Sequence, residues 1–398
     1  MLLKLRFTKP QRSHTLNFME GLLMCEATKT LSAINRLLLE STHPSSIADF
    51  FTYSPWDNEK VRRQAQGIII EWVVGGRQGH LFRPQIIISI DDSLCNKPKE
   101  SKHFKPVDWH FDTKEGKAYG YGVSFISMHI ECGNRSLPIN WRIYLREKTI
   151  RKLNRIYRQK ISFRSKVTLS IEMLKEIQSL LPEGYPVHIL FDSWYASKKL
   201  IQFCLKNKWH IICALKSNRI FEGKRLSRMA HYLRSKNLTK VWVDSANNST
   251  PYWTCLKQGR LKGLLKEVSV IISKRHPRDK RPEFFLCTDT SLSAKEALSL
   301  YVRRWAIEID YLYLKSRLGL GDFRVRSMEG INRYFTLVFL TLAYLSWRKA
   351  EEGAKNISEV IALHRQEQYE EVLRAFGRKV IEEQSIELAL KTFLPKAA

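Results

Sequence analysis

Apolar residues recur at helical spacing over residues 12–80. Leu31, Ile34 and Leu37, for example, fall three positions apart, as they would on one face of a helix. A polar stretch around Pro44 interrupts this pattern before it resumes. Short helices separated by polar turns are typical of a helix-turn-helix that enters a DNA groove, and equally of a plain helical bundle.

From residue 84 onwards the pattern changes to short apolar runs of strand length. Three predicted strands come first, followed by a helix, a strand, a second helix and another strand. This is the order of an α/β ribonuclease-H-like core, in which a mixed sheet carries helices on its faces. The three strands are residues 86–90, 119–131 and 137–145, the first helix is 167–181, and the later strands are 187–191 and 210–215.

Residues 217–283 depart from this order, because alternating and apolar strand patterns replace helical ones. We interpret them as a β-rich insertion, after which the core resumes with a strand at residues 284–287. A helix then begins near Ser293, where Glu296 completes a capping box, and is predicted to run to about Leu318.

The remaining sequence from residue 330 reads as helical and includes the longest apolar stretch, residues 335–347. This stretch is far shorter than the roughly 20 residues of a membrane-spanning helix, so we expect a buried core helix and no membrane contact. The predicted organisation has five parts. They are a helical N-terminal DNA-binding domain (1–80), the first part of a catalytic core (84–216), the β-rich insertion (217–283), the completion of the catalytic core (284–345) and a helical C-terminal region (346–398).

The charge balance points to a polyanionic partner. Lysine and arginine number 67 against 39 acidic residues, which gives a net charge of +28 and a pI near 9.8. An excess spread along the whole chain favours nucleic acid as the partner. The seven cysteines include no Cys-x-x-Cys pair, which argues against zinc ribbons, and the N-terminus is a poor signal peptide. We therefore expect reduced thiols and a cytoplasmic protein that associates with the nucleoid.

Carboxylates follow two of the predicted buried strands. Asp91 and Asp92 follow the strand at residues 86–90, and Asp192 follows the strand at residues 187–191. If the strands are neighbours, the acids meet at one edge of the sheet. Phosphodiester cleavage by two metal ions roughly 3.5–4 Å apart needs several carboxylates at one point, and hard ions such as Mg²⁺ prefer oxygen ligands.

The helix predicted from Ser293 carries a further polar pattern. Tyr301, Arg304, Glu308 and Lys315 lie within an arc of roughly 60° when about 100° is assigned to each residue. Glu308 can complete a metal site there. Arg304 and Lys315 can hold phosphates, the arginine with its bidentate fork, and Tyr301 can bind a phosphate or stack on a base.

The spacing Tyr301-x2-Arg304-x3-Glu308-x6-Lys315 resembles the Tyr-Arg-Glu-Lys signature of DDE transposases from bacterial insertion sequences. The stretches IDDS at 90–93 and FDSWYAS at 191–197 resemble the strands that carry the first two acids of that family. The resemblance implies catalytic and metal-binding roles for Asp92, Asp192 and Glu308, with two Mg²⁺ or Mn²⁺ ions. It also implies a β-rich insertion before the glutamate, terminal inverted repeats and target DNA as double-stranded substrates, and synapsis by a homodimer.

Several details of the site stay open at this level. Asp92 is chosen over Asp91 because Ser93 follows it, as a Thr or Ser follows the family's first acid; alternation along the strand would point Asp91 to the opposite face. Trp194 stands where the family often has a small residue. Trp305 is a candidate for stacking on a DNA base. The basic loop that includes Lys274, Arg275 and Arg278 is a candidate for contacts with the DNA backbone.

Two other functions fit the same residues. One is a catalytically silent DNA-binding protein derived from a transposase, and the other is a defence or repair nuclease of the same fold. The first would bind DNA without cutting it, and the second would cut without inverted-repeat ends and would not join strands.

Overall fold

A computed structural model of the chain describes residues 5–37, 44–75, 84–111, 119–158, 160–245 and 248–393. The chain divides into two compact units, each built from segments that are distant in the sequence. We name them the helical unit (Met1–Ile68, Leu94–Val123 and Asp310–Ala398) and the sheet unit (Ile69–Ser93 and Ser124–Ile309). These units do not follow the linear ranges predicted from the sequence, whose functional roles stay predictions.

Both units contain helices and strands. In chain order the helices are α1 Lys9–Met24, α2 Leu31–Asn35, α3 Pro44–Thr52, α4 Asn58–Val74, α5 Glu147–Tyr157, α6 Lys166–Gln178, α7 Lys198–Lys206, α8 Leu226–His231, α9 Ala294–Val302, α10 Trp305–Ser316, α11 Met328–Glu352, α12 Ile357–Glu383 and α13 Ile386–Phe393. The strands are β1 Ile86–Asn96, β2 Asp108–Phe111, β3 Tyr119–Cys132, β4 Arg135–Tyr144, β5 Val187–Phe191, β6 His210–Leu215, β7 Ile220–Phe221, β8 Lys224–Arg225, β9 Thr239–Ser245, β10 Asn248–Gly259, β11 Val268–Lys274 and β12 Glu283–Cys287.

The helical unit is a bundle in which the N-terminal helices pack against α11. Phe18 of α1 meets Phe51 of α3 and Tyr334 of α11 edge to face, with ring centroids 4.9 and 5.6 Å apart. The guanidinium of Arg333 donates to the backbone oxygens of Phe51 and Trp56 at 3.1 and 2.7 Å, which satisfies both buried carbonyls. The apolar stretch at 335–347 is therefore the buried core helix that was predicted, and no helix in the described part of the chain is long and apolar enough to span a membrane.

The sheet unit is built on a mixed sheet with the strand order β4-β3-β1-β5-β6-β12-β11-β10-β9. Strands β1, β5 and β6 run parallel, whereas β12 is antiparallel to β6 and the strands beyond it alternate in direction. Helix α6 packs on β4, α7 on β6, and α9 on both β6 and β9. The large mixed sheet flanked by helices confirms the predicted α/β class with a ribonuclease-H-like core.

Three local features differ from the sequence-based expectation. Strand β1 does not end before the aspartates but continues to Asn96, although its pairing with β5 ends at Ile90. The strands of the β-rich segment join the main sheet, because β12 pairs with β6 and β11 and β10 follow on its far side. The helix predicted from Ser293 is interrupted at Arg303 and Arg304, between α9 and α10.

The interruption is a tightening of the helix. The backbone N–H groups of Arg303, Arg304, Ala306 and Ile307 each donate to the carbonyl three residues back, at 3.0–3.2 Å, in place of the usual fourth. Both arginines pair with groups of the sheet: Arg303 with Glu131 and Arg304 with Asp91. On a regular α-helix, adjacent side chains point about 100° apart. The tightened turn lies where two adjacent arginine side chains both reach the same sheet.

Candidate active site

The end of the pairing between β1 and β5 brings three aspartates together at one edge of the sheet. The two strands are parallel neighbours whose last paired residues are Ile90 and Phe191. Asp91 and Asp192 are the next residues along, and Asp92 follows Asp91. In open α/β sheets, ligands bind in the crevice outside the carboxyl ends of the parallel strands, so these carboxylates lie where such a fold holds its ligands.

The carboxylate of Asp92 is held by two residues that sequence reasoning missed. Lys166, the first residue of α6, places its Nζ 2.5 Å from Oδ2, and the buried hydroxyl of Tyr195 donates to Oδ1 at 2.8 Å. Ser165 caps α6 by accepting from the N–H of Thr168, and this fixes where the helix begins. Tyr195 lies within the FDSWYAS stretch, but nothing in the sequence pairs Lys166 with Asp92.

Asp192 shapes the turn that follows β5. Its Oδ1 accepts from the backbone N–H groups of Trp194 and Tyr195, at 2.8 and 3.3 Å, as in an Asx turn. Burial raises the pKa of Asp192, and these two hydrogen bonds oppose the rise. The second aspartate therefore fixes both the tyrosine that holds Asp92 and the exposed tryptophan beside it.

Arg304 links the sheet to the glutamate of α10. Its guanidinium donates to Oδ2 of Asp91 at 2.8 Å and to Oε1 of Glu308 at 2.9 Å. All three side chains are largely buried, with exposed fractions of 14% for Arg304, 13% for Asp91 and 23% for Glu308. Strand alternation led us to expect Asp91 and Asp92 on opposite faces of the strand, and the two carboxylates do have different partners: Asp91 shares the Arg304 guanidinium with Glu308, whereas Asp92 meets Lys166 and Tyr195.

The carboxylates at this edge repel one another. The pKa of Asp91 is raised to about 6, chiefly by burial; the charge of Arg304 opposes the rise, and the charges of Asp92 and Asp192 contribute to it. Charge also couples Asp192 to Asp92, which adds to the raised pKa of Asp192. Mutual repulsion of this kind is what a bound cation relieves.

The other residues of the predicted helical stripe have different surroundings. Tyr301 packs edge-on against Phe285, with centroids 4.8 Å apart, and burial raises its pKa to about 12. The Arg304 guanidinium lies 5.8 Å from the centre of the Tyr301 ring. Trp305 begins α10 and is 59% exposed, and Lys315 is an exposed residue of the same helix within the helical unit.

The basic loop between β11 and β12 lies at the same edge of the sheet as Asp192. Leu215, at the end of β6, pairs with Phe284 at the start of β12, and Ser273 near the end of β11 pairs with Glu283. Lys274 donates to the Pro277 carbonyl at 3.4 Å. Two further cations of the loop are exposed: Arg275, whose guanidinium lies 4.3 Å from the centre of the Tyr252 ring, and Arg278.

The donor chemistry at this edge fits a hard divalent cation. Asp92, Asp192 and Glu308 offer carboxylate oxygens, which Mg²⁺ and Mn²⁺ prefer. In the structure these oxygens are engaged by Lys166, Arg304 and backbone amides, and among the described residues no three His, Cys, Asp or Glu side chains converge closely enough to hold a metal ion. The acids are thus gathered at one edge, where cations of the protein pair with Asp92 and Glu308 and backbone amides bind Asp192.

A mixed sheet with helices on its faces, and with acids where two parallel strands stop pairing, is consistent with the ribonuclease-H-like fold of DDE enzymes. The family described as DDE superfamily endonuclease matches residues 3–236, more than half of the chain, and the family described as transposase DDE domain matches residues 164–344. The chain belongs to the DDE superfamily of endonucleases, whose members generally use divalent metal ions, and it is therefore a nuclease-type enzyme.

A curated relative points the same way. The chain is 23% identical, over 300 residues, to the probable transposase for insertion sequence element IS701 from Microchaete diplosiphon. The matched region covers 75% of this chain and 72% of the relative. Together with the two family matches, this similarity supports function as a transposase of an insertion sequence.

Proposed function

We propose that this protein is a cut-and-paste transposase that cleaves DNA at the ends of an insertion element and joins the freed 3′ ends to target DNA. The observation that carries the proposal is that acids follow two neighbouring parallel strands and that Arg304 joins one of these acids, Asp91, to Glu308 in a DDE-family chain. The double-stranded substrates are the terminal inverted repeats and the target. Synapsis of two ends is the work of a homodimer.

Asp92, Asp192 and Glu308 are the residues that would hold two Mg²⁺ or Mn²⁺ ions. When bound, such a pair activates the attacking oxygen and stabilises the leaving one. We assign Asp92 rather than Asp91 to this set, because its side chain is 26% exposed whereas that of Asp91 is 13% exposed and committed to Arg304. Asp91 then acts as a positioning residue that aims the guanidinium at Glu308.

The chain's own cations hold the DNA and the acids in place. Arg304 orients Glu308 and presents a planar fork that matches a phosphate. Lys166 neutralises Asp92 before DNA binds and can move to a phosphate near the scissile bond. Tyr301 and Lys315 complete the Tyr-Arg-Glu-Lys set, and the remaining contacts to DNA come from Trp305 and from Lys274, Arg275 and Arg278 in the basic loop.

The test uses purified full-length protein and DNA that carries the inverted repeats flanking its gene. Wild-type protein should nick these ends in Mg²⁺ and join them to a target plasmid. Asp92→Asn, Asp192→Asn and Glu308→Gln should each abolish cleavage while DNA binding persists. Glu267→Gln is the matched control, because this exposed carboxylate lies next to Val268, at the opposite edge of the sheet.

Each assignment can fail separately. Near-normal cleavage by one of the three variants would remove that residue from the catalytic set. Loss of cleavage in Asp91→Asn, together with normal cleavage in Asp92→Asn, would make Asp91 the first acid in place of Asp92. DNA binding without any Mg²⁺-dependent nicking would identify a silent DNA-binding protein. Cleavage without a need for inverted repeats, and without strand joining, would identify a nuclease.

A further inference from the structure

An exposed tryptophan stands beside the candidate active site in a basic cavity. Trp194 is 66% exposed, although it lies only two residues after Asp192. The cavity next to it has a volume of about 420 Å³ and opens between the turn after β5 and the loop after β6. Its lining includes Ser193, Trp194, Lys216, Asn218, Arg219 and Lys262.

The lining combines an aromatic face with positive charge. Lys216 places its Nζ 4.4 Å from the centre of the Trp194 ring. Arg219 donates to the carbonyl of Ala196 and so ties the two loops together. Lys262 adds a third cation, and the lining residues that the structure describes include no carboxylate. An aromatic platform surrounded by cations is the chemistry that binds a nucleobase together with its phosphates.

The position of Trp194 is fixed by the second aspartate. Its backbone N–H donates to Oδ1 of Asp192 at 2.8 Å, so the cavity and the acid share one turn. A DNA strand whose phosphate lies at Asp192 therefore runs close to the mouth of the cavity. The volume of the cavity suits a single nucleotide, since small-molecule sites begin at about 300 Å³.

We infer that this cavity binds one unpaired nucleotide of the DNA strand at the active site. The base stacks on the indole of Trp194, while Arg219 and Lys262 face its phosphates and Lys216 is displaced towards them. Stacking accepts any base, so the site recognises an unpaired state and no particular sequence. The inference rests on the proposed function, because it takes DNA to be the substrate.

The experiment measures binding without cleavage, in EDTA, by fluorescence anisotropy. The probes are a short blunt duplex and the same duplex with a run of unpaired thymidines at one 3′ end. Trp194→Ala should weaken binding of the overhang probe by about tenfold and leave the blunt probe unchanged, because stacking of one base contributes on that order. Trp194→Phe should retain most of the affinity, and Lys262→Ala should lower it for the overhang probe.

Trp242→Ala is the matched control. Trp242 is 49% exposed and also lies under a lysine, with Lys240 Nζ 4.8 Å from its ring centre, but it does not line the cavity. This variant should bind both probes as wild type does. A 2-aminopurine in the overhang should be quenched by the wild type and by Trp242→Ala, but not by Trp194→Ala.

Three results would overturn the inference. They are an unchanged overhang affinity in Trp194→Ala, an equal loss on both probes, and the same quenching in Trp194→Ala as in wild type. All three leave the proposed function standing, because wild-type protein would still bind DNA and the cleavage assay is separate. Failure of wild-type protein to bind either probe would instead overturn the proposed function together with the inference.

Discussion

Lys166 Nζ lies 2.5 Å from Oδ2 of Asp92, so the first proposed acid is neutralised by a cation of the protein. That lysine and a divalent ion compete for the same carboxylate. Lys166→Met should therefore bind Mn²⁺ more tightly in the absence of DNA by severalfold, since a partly exposed ion pair contributes about 0.2–1 kcal/mol. Isothermal titration of the two proteins with Mn²⁺ measures the difference. Lys175→Met, on the same helix, is the control, and a weaker or equal affinity in Lys166→Met would contradict the competition.

Arg304 pairs with two largely buried carboxylates, so its removal should cost stability. Arg304→Ala leaves Asp91 without its cation, and loss of one partner of a buried pair costs about 3 kcal/mol. Adding Asp91→Asn should restore part of that loss, because the unpaired charge is then gone. Urea unfolding of the wild type, both single variants and the double variant gives the coupling energy. Strictly additive losses would show that the two residues do not interact.

Stability should also depend on pH through His188. This side chain is buried on β5, stacks on His210 with ring centroids 5.2 Å apart, and lies 3.4 Å from Oδ2 of Asp289. Burial and the neighbouring His210 lower its pKa below the ordinary 6.5, and Asp289 only partly offsets them. Over the pH window just below 6.5 the unfolded chain thus binds more protons. The free energy of unfolding should fall as the pH drops through that window. The contribution of His188 to stability is complete above the window.

Urea unfolding at several pH values checks this expectation. His188→Asn should be less dependent on pH than the wild type between neutral pH and the lowered pKa, because it has no proton to bind. His231→Asn, at an exposed position of α8, is the matched control and should keep the wild-type dependence. Identical slopes for His188→Asn and wild type would assign the dependence to other groups.

The basic loop should govern non-specific DNA affinity. Arg275→Ala and Arg278→Ala each remove a cation that can bind a phosphate, so each should weaken duplex binding regardless of sequence. Each should also reduce the slope of log affinity against log salt concentration by about 0.9. Binding measured over a range of salt concentrations gives that slope. Lys266→Ala, an exposed lysine just before β11 and at the opposite edge of the sheet, should change neither quantity.

Much of the sheet was predictable, because buried strands leave a clear signal. The apolar runs at 187–191 and 210–215 coincide with β5 and β6, and the predicted strands at 119–131 and 137–145 correspond to β3 and β4. The capping box of Ser293 and Glu296 also forms. These features are local, since a few neighbouring residues determine each of them.

The contacts within the candidate site were less predictable, because they join residues far apart in the sequence. Nothing near Lys166 indicates that its ammonium meets Asp92, and the partners of Arg304 depend on a tightened turn that helical periodicity does not reveal. Strand β10 was not predicted from the sequence, because most of its residues are only partly buried and Pro251 interrupts the strand pattern. This region joins the main sheet because β12 pairs with β6, and a local sequence pattern does not reveal which strands pair.

The order of strands has a consequence for how such a chain can change over evolution. Strands β11, β10 and β9 are added on the far side of β12, so the sheet lengthens away from the parallel strands that carry the aspartates. Gains or losses of hairpins there alter the reach of the protein over its substrate while β1 and β5 keep their register. Outward growth of the sheet thus lets the segment between the second aspartate and the glutamate diverge freely in length while the chemistry stays fixed.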